Sequence, residues 1–304
     1  MTRPIRIGTR GSQLALWQAN ETARLLAQAG FAPEIITIAT SGDNRRDVSL
    51  ATIGGKGLFV KELEEALERG EIDVAVHSLK DVPSIIPEQF VLAGFLERAD
   101  PRDAWLQAER KDIAELPAGS LIGTSAPRRR AQLITRYPQL TIEGIRGNVE
   151  TRINKLMAGQ FRGIILASAG LTRLQRQADI TRYFSVDELL PATGQGIVAI
   201  ETLRGHSLGI DAAAAINHEA SALAARCERG VLQKFGERLD CYSCVAVHAT
   251  TTDGELTIRA FLSDYEATKP LRVTRRGRNA DEVVDAVASQ LIANGAIELL
   301  GVRA

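Results

Sequence analysis

The stretch IRIGTRGSQLALWQANETARLLAQAG, residues 5–30, sets the pattern for the first part of the chain. Residues 5–9 form a short run typical of a β-strand, and the loop Arg10-Gly11-Ser12 follows it. Apolar residues then recur at helical spacing until Gly30, a residue type that commonly ends helices. This strand–loop–helix unit indicates an α/β domain, in which ligands bind beyond the carboxyl ends of the strands.

The alternation of strands and helices continues, and it begins afresh after Asp100-Pro101. Periodicity predicts strands at 34–39, 72–76, 121–123, 141–145 and 163–167, with helices at about 59–70, 127–137 and 149–158. A further strand at 197–201 is expected to return to the first sheet. From residue 218 the pattern changes to a helix at 218–235, strands at 245–250, 256–262 and 271–274, and a helix at 280–294. This last part predicts a small α+β domain.

The length of 304 residues exceeds what one hydrophobic core usually serves. Two or three domains are therefore expected from the length, and the change of pattern at residue 218 favours three. Domain 1 comprises residues 1–98 and 195–216, domain 2 comprises 101–192, and domain 3 comprises 218–304.

The sequence contains 37 basic and 37 acidic residues, so its formal net charge is zero. This balance excludes a global electrostatic attraction to nucleic acid or membranes. The segment from Met1 to Gly8 lacks the apolar stretch of a secretory signal, and no run approaches the ~18 apolar residues of a membrane span. The three cysteines are too few for a disulfide framework. A cytoplasmic protein is expected.

Arginines give the strongest chemical signal. Arg128, Arg129 and Arg130 follow Gly123-Thr124-Ser125 at a predicted helix start, and further arginines follow the next strands, namely Arg146, Arg152 and Arg173. Guanidinium groups bind carboxylates or phosphates bidentately. A solvated basic face is the alternative for any single arginine. Only 5% of residues are aromatic, which disfavours nucleic acid, so the set favours a small polycarboxylate ligand.

The segment HSLKDVP, residues 77–83, directly follows a predicted strand. Lys80 can bind a carboxylate, and Asp81 can exchange protons or stabilise a developing cation. A capped loop with a surface ion pair explains the same residues equally well. The glycine-rich loop at 54–59 contains Lys56 but not the Ser or Thr of a nucleotide-binding P-loop. Residues 8–12 likewise lack a dinucleotide fingerprint, which leaves Arg10 and Ser12 as ligand contacts.

The segment Cys241-Tyr242-Ser243-Cys244 has the spacing of a redox or zinc pair, and His248 lies four residues further on. No second such pair exists in the sequence, so a four-ligand zinc site is disfavoured and no metal is expected. A loop cysteine that carries a covalent group remains open.

Eight segments together resemble the hydroxymethylbilane synthase, or porphobilinogen deaminase, family. They are GTRGSQLALWQ (8–18), GGKGLFVKELEEAL (54–67), AVHSLKDVP (75–83), ERADPRDAW (97–105), GTSAPRRRAQL (123–133), IRGNVETRINKL (145–156), ILASAGLTRL (165–174) and LPATGQG (190–196). The resemblance implies an α/β fold with two doubly wound, periplasmic-binding-protein-like domains around a cleft, plus a small α+β C-terminal domain. It also implies a cytoplasmic, monomeric transferase of porphyrin, tetrapyrrole and heme biosynthesis.

By the same resemblance, the enzyme condenses four porphobilinogen molecules with loss of ammonia on a covalent dipyrromethane cofactor and releases hydroxymethylbilane by hydrolysis. Asp81 is the implied catalytic residue, and Cys241 is the implied attachment site. The implied contacts for cofactor and substrate are Arg10, Ser12, Lys56, Ser78, Lys80, Thr124, Ser125, Arg128, Arg129, Arg146, Gly147, Arg152, Arg173 and Gln195. The implied partners are porphobilinogen and linear pyrrole intermediates, with no nucleic acid and no membrane.

The sequence departs from the family pattern at the cysteine loop, where Cys244 stands in place of a usual proline. Cys244 is therefore a rival attachment site. Thr52 occupies a position that is often lysine. Two alternatives stay open: a non-catalytic receptor for polycarboxylate anions, and an inactive paralogue that no longer loads cofactor.

Overall fold

The computed structural model describes residues 3–39, 60–239 and 243–301. Contacts divide the chain into two compact units, Met1–Ala99 with Gly196–Arg226 and Asp100–Gln195 with Cys227–Ala304. The second α/β region and the C-terminal region thus fall within one unit. The three-domain boundaries stay a prediction.

The described strands are β1 (Ile5–Arg10), β2 (Pro33–Ile38), β3 (Val74–Ser78), β4 (Phe90–Phe95), β5 (Asp103–Leu106), β6 (Leu121–Gly123), β7 (Thr141–Glu143), β8 (Gly163–Ala167), β9 (Arg182–Tyr183), β10 (Val198–Leu203), β11 (Cys244–Thr252), β12 (Glu255–Ser263) and β13 (Leu271–Gly277). The described α-helices are α1 (Gln13–Gln28), α2 (Lys61–Glu68), α3 (Pro127–Arg136), α4 (Val149–Met157), α5 (Ser168–Arg173), α6 (Ser207–Ala215), α7 (Glu219–Gln233), α8 (Ala280–Ala293) and α9 (Ala296–Gly301).

The first unit contains a five-stranded sheet in the order β2-β1-β3-β10-β4. Strands β1, β2 and β3 are parallel, and β10 runs antiparallel to both of its neighbours. The predicted return of this late strand to the first sheet is confirmed. Buried residues of α1 and α6 pack on one face of the sheet, and those of α2 pack on the other. Neighbouring residues of a strand point to opposite faces of the sheet. The two helix layers therefore contact alternate residues of β3.

A buried carboxylate, Asp73, forms ion pairs at the amino-terminal end of β3, away from the strand ends that carry the motifs. Asp73 accepts hydrogen bonds from Arg6 through its backbone N at 2.8 Å and its guanidinium at 3.0 and 2.8 Å, and from Arg3 at 2.9 Å. Burial disfavours the charged carboxylate, but the hydrogen bonds and charges of these arginines outweigh it and lower the pKa of Asp73.

The second unit contains a five-stranded sheet in the order β7-β6-β8-β5-β9. Strands β6, β7 and β8 are parallel, so their carboxyl ends meet at one edge, where α3, α4 and α5 begin. A three-stranded antiparallel sheet, β11-β12-β13, follows in the same unit, and α8 packs against it. The α/β fold class with a small α+β C-terminal part is confirmed.

Long periodic elements were predicted well, and short ones were missed. The elements not predicted from the sequence are β4, β5, β9, α5, α6 and α9. Strand β5 has only four residues and begins with a charged one, Asp103, although every residue in it is buried. Helix α6 is rich in alanine and shows little amphipathic contrast. Among the described residues, no helix has the length and apolar character that a membrane span requires.

Candidate active site

One pocket of the first unit collects several predicted site residues at the carboxyl ends of β1 and β3. It is a small cavity of about 70 Å³, lined in part by Arg10, Ser12, His77, Ser78 and Asp81. Arg10 is the last residue of β1, and Ser12 is the N-cap of α1. Ser78 is the last residue of β3, and Asp81 is the last residue of the one-turn helix that follows, residues 79–81. The structure thus brings these predicted residues together at the strand ends, and their contact with a ligand stays a prediction.

Hydrogen bonds fix the hydroxyl groups of this pocket. Ser12 is the N-cap of α1, and its Oγ accepts from the backbone N of Ala15 at 3.3 Å. The buried amide of Gln18 donates to Ser78 Oγ at 2.7 Å. A serine hydroxyl that accepts one hydrogen bond can still donate its own proton. Asp81 is exposed, and Lys80 lies half-buried in the same turn.

A buried acid–imidazole pair lies beside the pocket. His77 Nε2 is 3.0 Å from Glu201 Oε2, and the two side chains are 4% and 0% exposed. Glu201 Oε1 has no hydrogen-bond partner among the described residues.

In the second unit, Asp103 binds the two adjacent arginines that were predicted to hold a ligand. Its carboxylate accepts from Arg128 at 2.7 and 3.2 Å and from Arg129 at 2.7 Å. All three side chains are buried. Burial disfavours the carboxylate, but the charges and hydrogen bonds of Arg128 and Arg129 outweigh it and hold the pKa of Asp103 well below its usual range.

Gln195 completes this network. Its Nε2 donates to Pro101 O at 2.6 Å and to Asp103 Oδ1 at 2.9 Å, while its Oε1 accepts from Arg128 at 3.2 Å. Leu190 O accepts from Arg128 as well, at 2.9 Å. The segment at 190–195 therefore orients Arg128 from two sides.

The remaining predicted contacts lie on the loops after β6, β7 and β8. Ser125 Oγ donates to Ile145 O at 2.5 Å and so joins the first two loops. Gly147 has φ +109°, and a Cβ there would lie 2.5 Å from the Thr151 side chain, which requires glycine. Its carbonyl accepts from Arg152 Nε at 2.7 Å.

Three further predicted contacts occupy these loops with differing exposure. Arg146 is exposed, and Thr124 is buried with its Oγ1 accepting from Ala126 N at 3.4 Å. Arg173 is buried at the end of α5, where burial lowers the pKa of its guanidinium to about 10. Arg173 thus stays a cation at neutral pH.

Comparisons with known proteins place this geometry in context. A family model described as "Porphobilinogen deaminase, dipyromethane cofactor binding domain" matches residues 5–208. The chain belongs to the porphobilinogen deaminase family. The porphobilinogen deaminase of Syntrophotalea carbinolica is 42% identical over 97% of this chain and 95% of its own length. The porphobilinogen deaminase of Geobacter metallireducens is 44% identical over 98% of this chain and 94% of its own length. Among solved structures, the methionine-binding protein MetQ has a TM-score of 0.46 at 14% identity, covering 74% of this chain and 94% of its own.

The cysteine segment of this porphobilinogen deaminase family member is described only in part. Cys241, Lys56 and Thr52 lie outside the described residues. Cys244 is 1% exposed and packs with Ala131, Leu190, Ala246 and Phe261 in a core cluster. Within the described part of the chain, no group of three or more potential ligand side chains is arranged to hold a metal ion.

Sequence reasoning missed four residues of this family member's site. Asp103 and His77 stand inside quoted motifs, but nothing in their sequence positions marks them as buried and paired. Gln18 lies on the buried face of α1 and looks like an ordinary helix residue. Glu201 lies 124 residues from its partner His77, so only the sheet register brings the two together.

Proposed function

We propose that this porphobilinogen deaminase family member works as a hydroxymethylbilane synthase, an enzyme of the transferase class. It condenses four porphobilinogen molecules head to tail with loss of ammonia and releases hydroxymethylbilane by hydrolysis. The observation that carries the proposal is the pocket that places Asp81 beside Arg10 and Ser12. Porphobilinogen has an amine and carboxylates. The carboxylate of Asp81 suits the amine, and the hydrogen-bond donors of Arg10 and Ser12 suit the carboxylates.

The donor set fits a covalent dipyrromethane, the group named in the family description. Each pyrrole unit carries carboxylates, which need cationic or hydroxyl donors, and a ring N–H, which needs an acceptor. Arg10, Ser12 and Ser78 would bind the carboxylates in the first unit, and Asp81 would accept from the ring N–H. In the second unit, Arg146, Arg152 and Arg173 are the proposed carboxylate-binding residues. When bound, the group supplies the pyrrole carbon that attacks the first substrate molecule.

We propose that Asp81 stabilises the positive charge that develops as the substrate C–N bond breaks. A preorganised carboxylate near developing charge lowers the barrier, because it needs no reorganisation during the reaction. Arg10 and the hydroxyl of Ser12 hold the substrate carboxylates, and the bond from Gln18 aims the hydroxyl of Ser78 toward the ligand. Arg128 and Arg129 act in a different way, because their guanidiniums already bind Asp103.

Two buried guanidiniums share one carboxylate in this network, so an excess positive charge remains at the strand ends of the second sheet. We propose that this excess attracts the carboxylates of the growing chain, while Gln195 keeps Arg128 in place. Lys56, Lys80, Thr124, Ser125 and Gly147 remain proposed contacts by motif resemblance.

We propose Cys241 as the attachment site. The burial of Cys244 in a core cluster supports this choice, since a buried thiol is poorly placed to carry a bulky group. We also propose that the protein is a cytoplasmic monomer. The sequence contains three cysteines, too few for a disulfide framework in a chain of this size, which supports a reducing compartment.

The deciding experiment incubates the purified chain with porphobilinogen and measures ammonia, hydroxymethylbilane and intact protein mass together. The proposal expects a covalent addition of two pyrrole units on the peptide that contains Cys241, and catalytic release of both products. A chain that binds polycarboxylates but gains no mass and releases no ammonia would instead be a receptor or an inactive paralogue.

A further inference from the structure

The inference concerns the turn at residues 192–195 in the second unit, and it rests on the proposed function. A hydrogen bond from Gln195 N to Ala192 O, at 2.8 Å, closes this turn. Gly194 has φ +73°, in the left-handed region that favours glycine. The side chain of Gln195 completes the arginine network described above. The position of that side chain therefore depends on how the turn is held.

Hydrogen bonds hold this turn against strand β11. Val247 N donates to Thr193 Oγ1 at 3.1 Å. Gly194 N donates to Glu228 Oε2 at 2.6 Å, and Ala249 N donates to Glu228 Oε1 at 2.8 Å. One carboxylate on α7 thus joins a peptide of the turn to a peptide of the strand.

The strand contributes these donors from its free edge. β11 is the first strand in the order β11-β12-β13, so β12 covers only one of its sides. Alternate residues of an antiparallel strand direct their N–H groups away from the partner strand. Val247 and Ala249 are two residues apart, and both donate to Thr193 or Glu228. Covering a sheet edge is one role of these two acceptors.

The chemistry of the site suits a carboxylate and not an amide. Glu228 is fully buried, and His248 Nδ1 lies 3.4 Å from its Oε1. Burial of a carboxylate is costly unless hydrogen bonds offset the loss of water. Each oxygen of Glu228 accepts from a different backbone N–H, and the charge strengthens both bonds. The side chain of glutamine has one acceptor oxygen only, so it cannot replace both.

The turn transmits this anchoring to the arginine network. Gly194, which Glu228 binds, is directly followed by Gln195. Gln195 donates to Asp103 Oδ1 at 2.9 Å and accepts from Arg128 at 3.2 Å. A shift of the turn therefore moves the side chain that orients the buried guanidinium.

We propose that Glu228 and Thr193 are positioning residues for the reaction. They hold the turn on β11, and the turn holds Gln195 against Arg128 and Asp103. β11 begins at Cys244, directly after the cysteine segment in the sequence. The two residues thereby tie the positive charge of the arginine network to the strand that follows the proposed attachment site.

The first test is a double-mutant cycle on kcat/KM for porphobilinogen, measured per cofactor-loaded enzyme. Glu228→Gln leaves one backbone donor without its acceptor, so the turn shifts and kcat/KM falls by about 10–10²-fold. Gln195→Met removes the groups that bind Arg128 and Asp103. In that background, Glu228→Gln is expected to lower kcat/KM by at most a further factor of about two. An unchanged kcat/KM in the single variant, or the same fold-change in both backgrounds, would overturn the action through Gln195.

The second test uses a conservative pair at the other anchor, and it remains decisive if Glu228→Gln fails to fold. Thr193→Val keeps the shape of the side chain but removes the acceptor for Val247 N, so kcat/KM is expected to fall by about 3–10-fold. Thr193→Ser keeps a hydroxyl and is expected to retain the wild-type value. Wild-type kcat/KM in Thr193→Val would overturn the role of Thr193.

A matched control separates positioning from a general loss of stability. Val287 is buried on α8, which packs on β12 and β13. Val287→Ala removes core contacts and destabilises the same unit. At a temperature where every variant is folded, Val287→Ala is expected to keep the wild-type kcat/KM. A fall as large as that of Glu228→Gln would show that lost stability, not a displaced turn, explains the rates.

A third measurement needs no turnover. Urea unfolding of Glu228→Gln, Gln195→Met and the double variant gives their losses of free energy of unfolding. Because the turn links the two residues, the loss in the double variant is expected to be smaller than the sum of the single losses. Additive losses would refute the link. If the wild type forms no hydroxymethylbilane, the proposed function fails, and this cycle tests the link independently.

Discussion

Asp103 accepts two hydrogen bonds from the guanidinium of Arg128, at 2.7 and 3.2 Å, where both side chains are shielded from solvent. An arginine that sequence analysis assigns to a ligand carboxylate is thus paired with a carboxylate of the chain itself. The fork geometry of a guanidinium suits such bidentate pairing. The pair organises the site from within, and binding of a ligand by Arg128 stays a prediction.

Replacing Asp103 with asparagine should destabilise the second unit strongly. The change leaves Arg128 and Arg129 as buried cations without a compensating charge, which costs about 3–5 kcal/mol. Urea unfolding of the variant should therefore show a much lower midpoint. Asp187→Asn is the control, because Asp187 is 81% exposed in its ion pair with Arg259 and should change stability by at most about 1 kcal/mol. Equal midpoints for the two variants would contradict the buried-pair interpretation.

The parts of the fold that could be predicted are those with long, regular patterns. Strand β8, GIILA, lies at the predicted 163–167 because it is a continuous apolar run between polar loops. The loops after the parallel strands could be placed together because the carboxyl ends of parallel strands share one sheet edge. Asp103 and Glu201 could not be identified, because a charged residue inside a strand is stabilised only by partners that the tertiary structure brings near.

A test of pH-dependent stability follows from Asp73. Its lowered pKa means that the folded state binds this proton less tightly than the unfolded state, so the ion pair stabilises the fold above the usual Asp value of about 3.9. That stability is lost as pH falls through the folded-state pKa. Asp73→Asn should therefore unfold at a lower temperature than wild type at pH 7, and the difference should shrink below about pH 4.

Thermal unfolding between pH 3 and 8 measures this difference. Asp211→Asn, an exposed acid on α6 in the same unit, is the control and should follow the wild type throughout. A gap between Asp73→Asn and wild type that stays constant on acidification would show that the ionised form of Asp73 is not what stabilises the fold.

The two cysteines of the loop can be separated by mass. Cys241→Ser should purify without the mass of two pyrrole units, whereas Cys244→Ser should retain it, because Cys244 packs in a core cluster with Phe261 and Leu190. Intact-protein mass spectrometry followed by peptide mapping across residues 235–250 distinguishes the variants. If Cys241→Ser retained the covalent pyrrole and Cys244→Ser lost it, the attachment site would be Cys244.

The role of Asp81 can be separated from the fold because its side chain is exposed at the pocket. Asp81→Asn keeps the size of the side chain but removes its charge, so kcat should fall by about 10²–10⁴-fold with little change in the unfolding midpoint. Asp81→Glu keeps the charge and should retain more activity than Asp81→Asn, since the longer side chain displaces the carboxylate without removing it. Glu88→Gln, an exposed acid-to-amide change shortly after Asp81, should leave kcat unchanged. Equal rates for Asp81→Asn and Glu88→Gln would mean that the charge of Asp81 takes no part in the reaction.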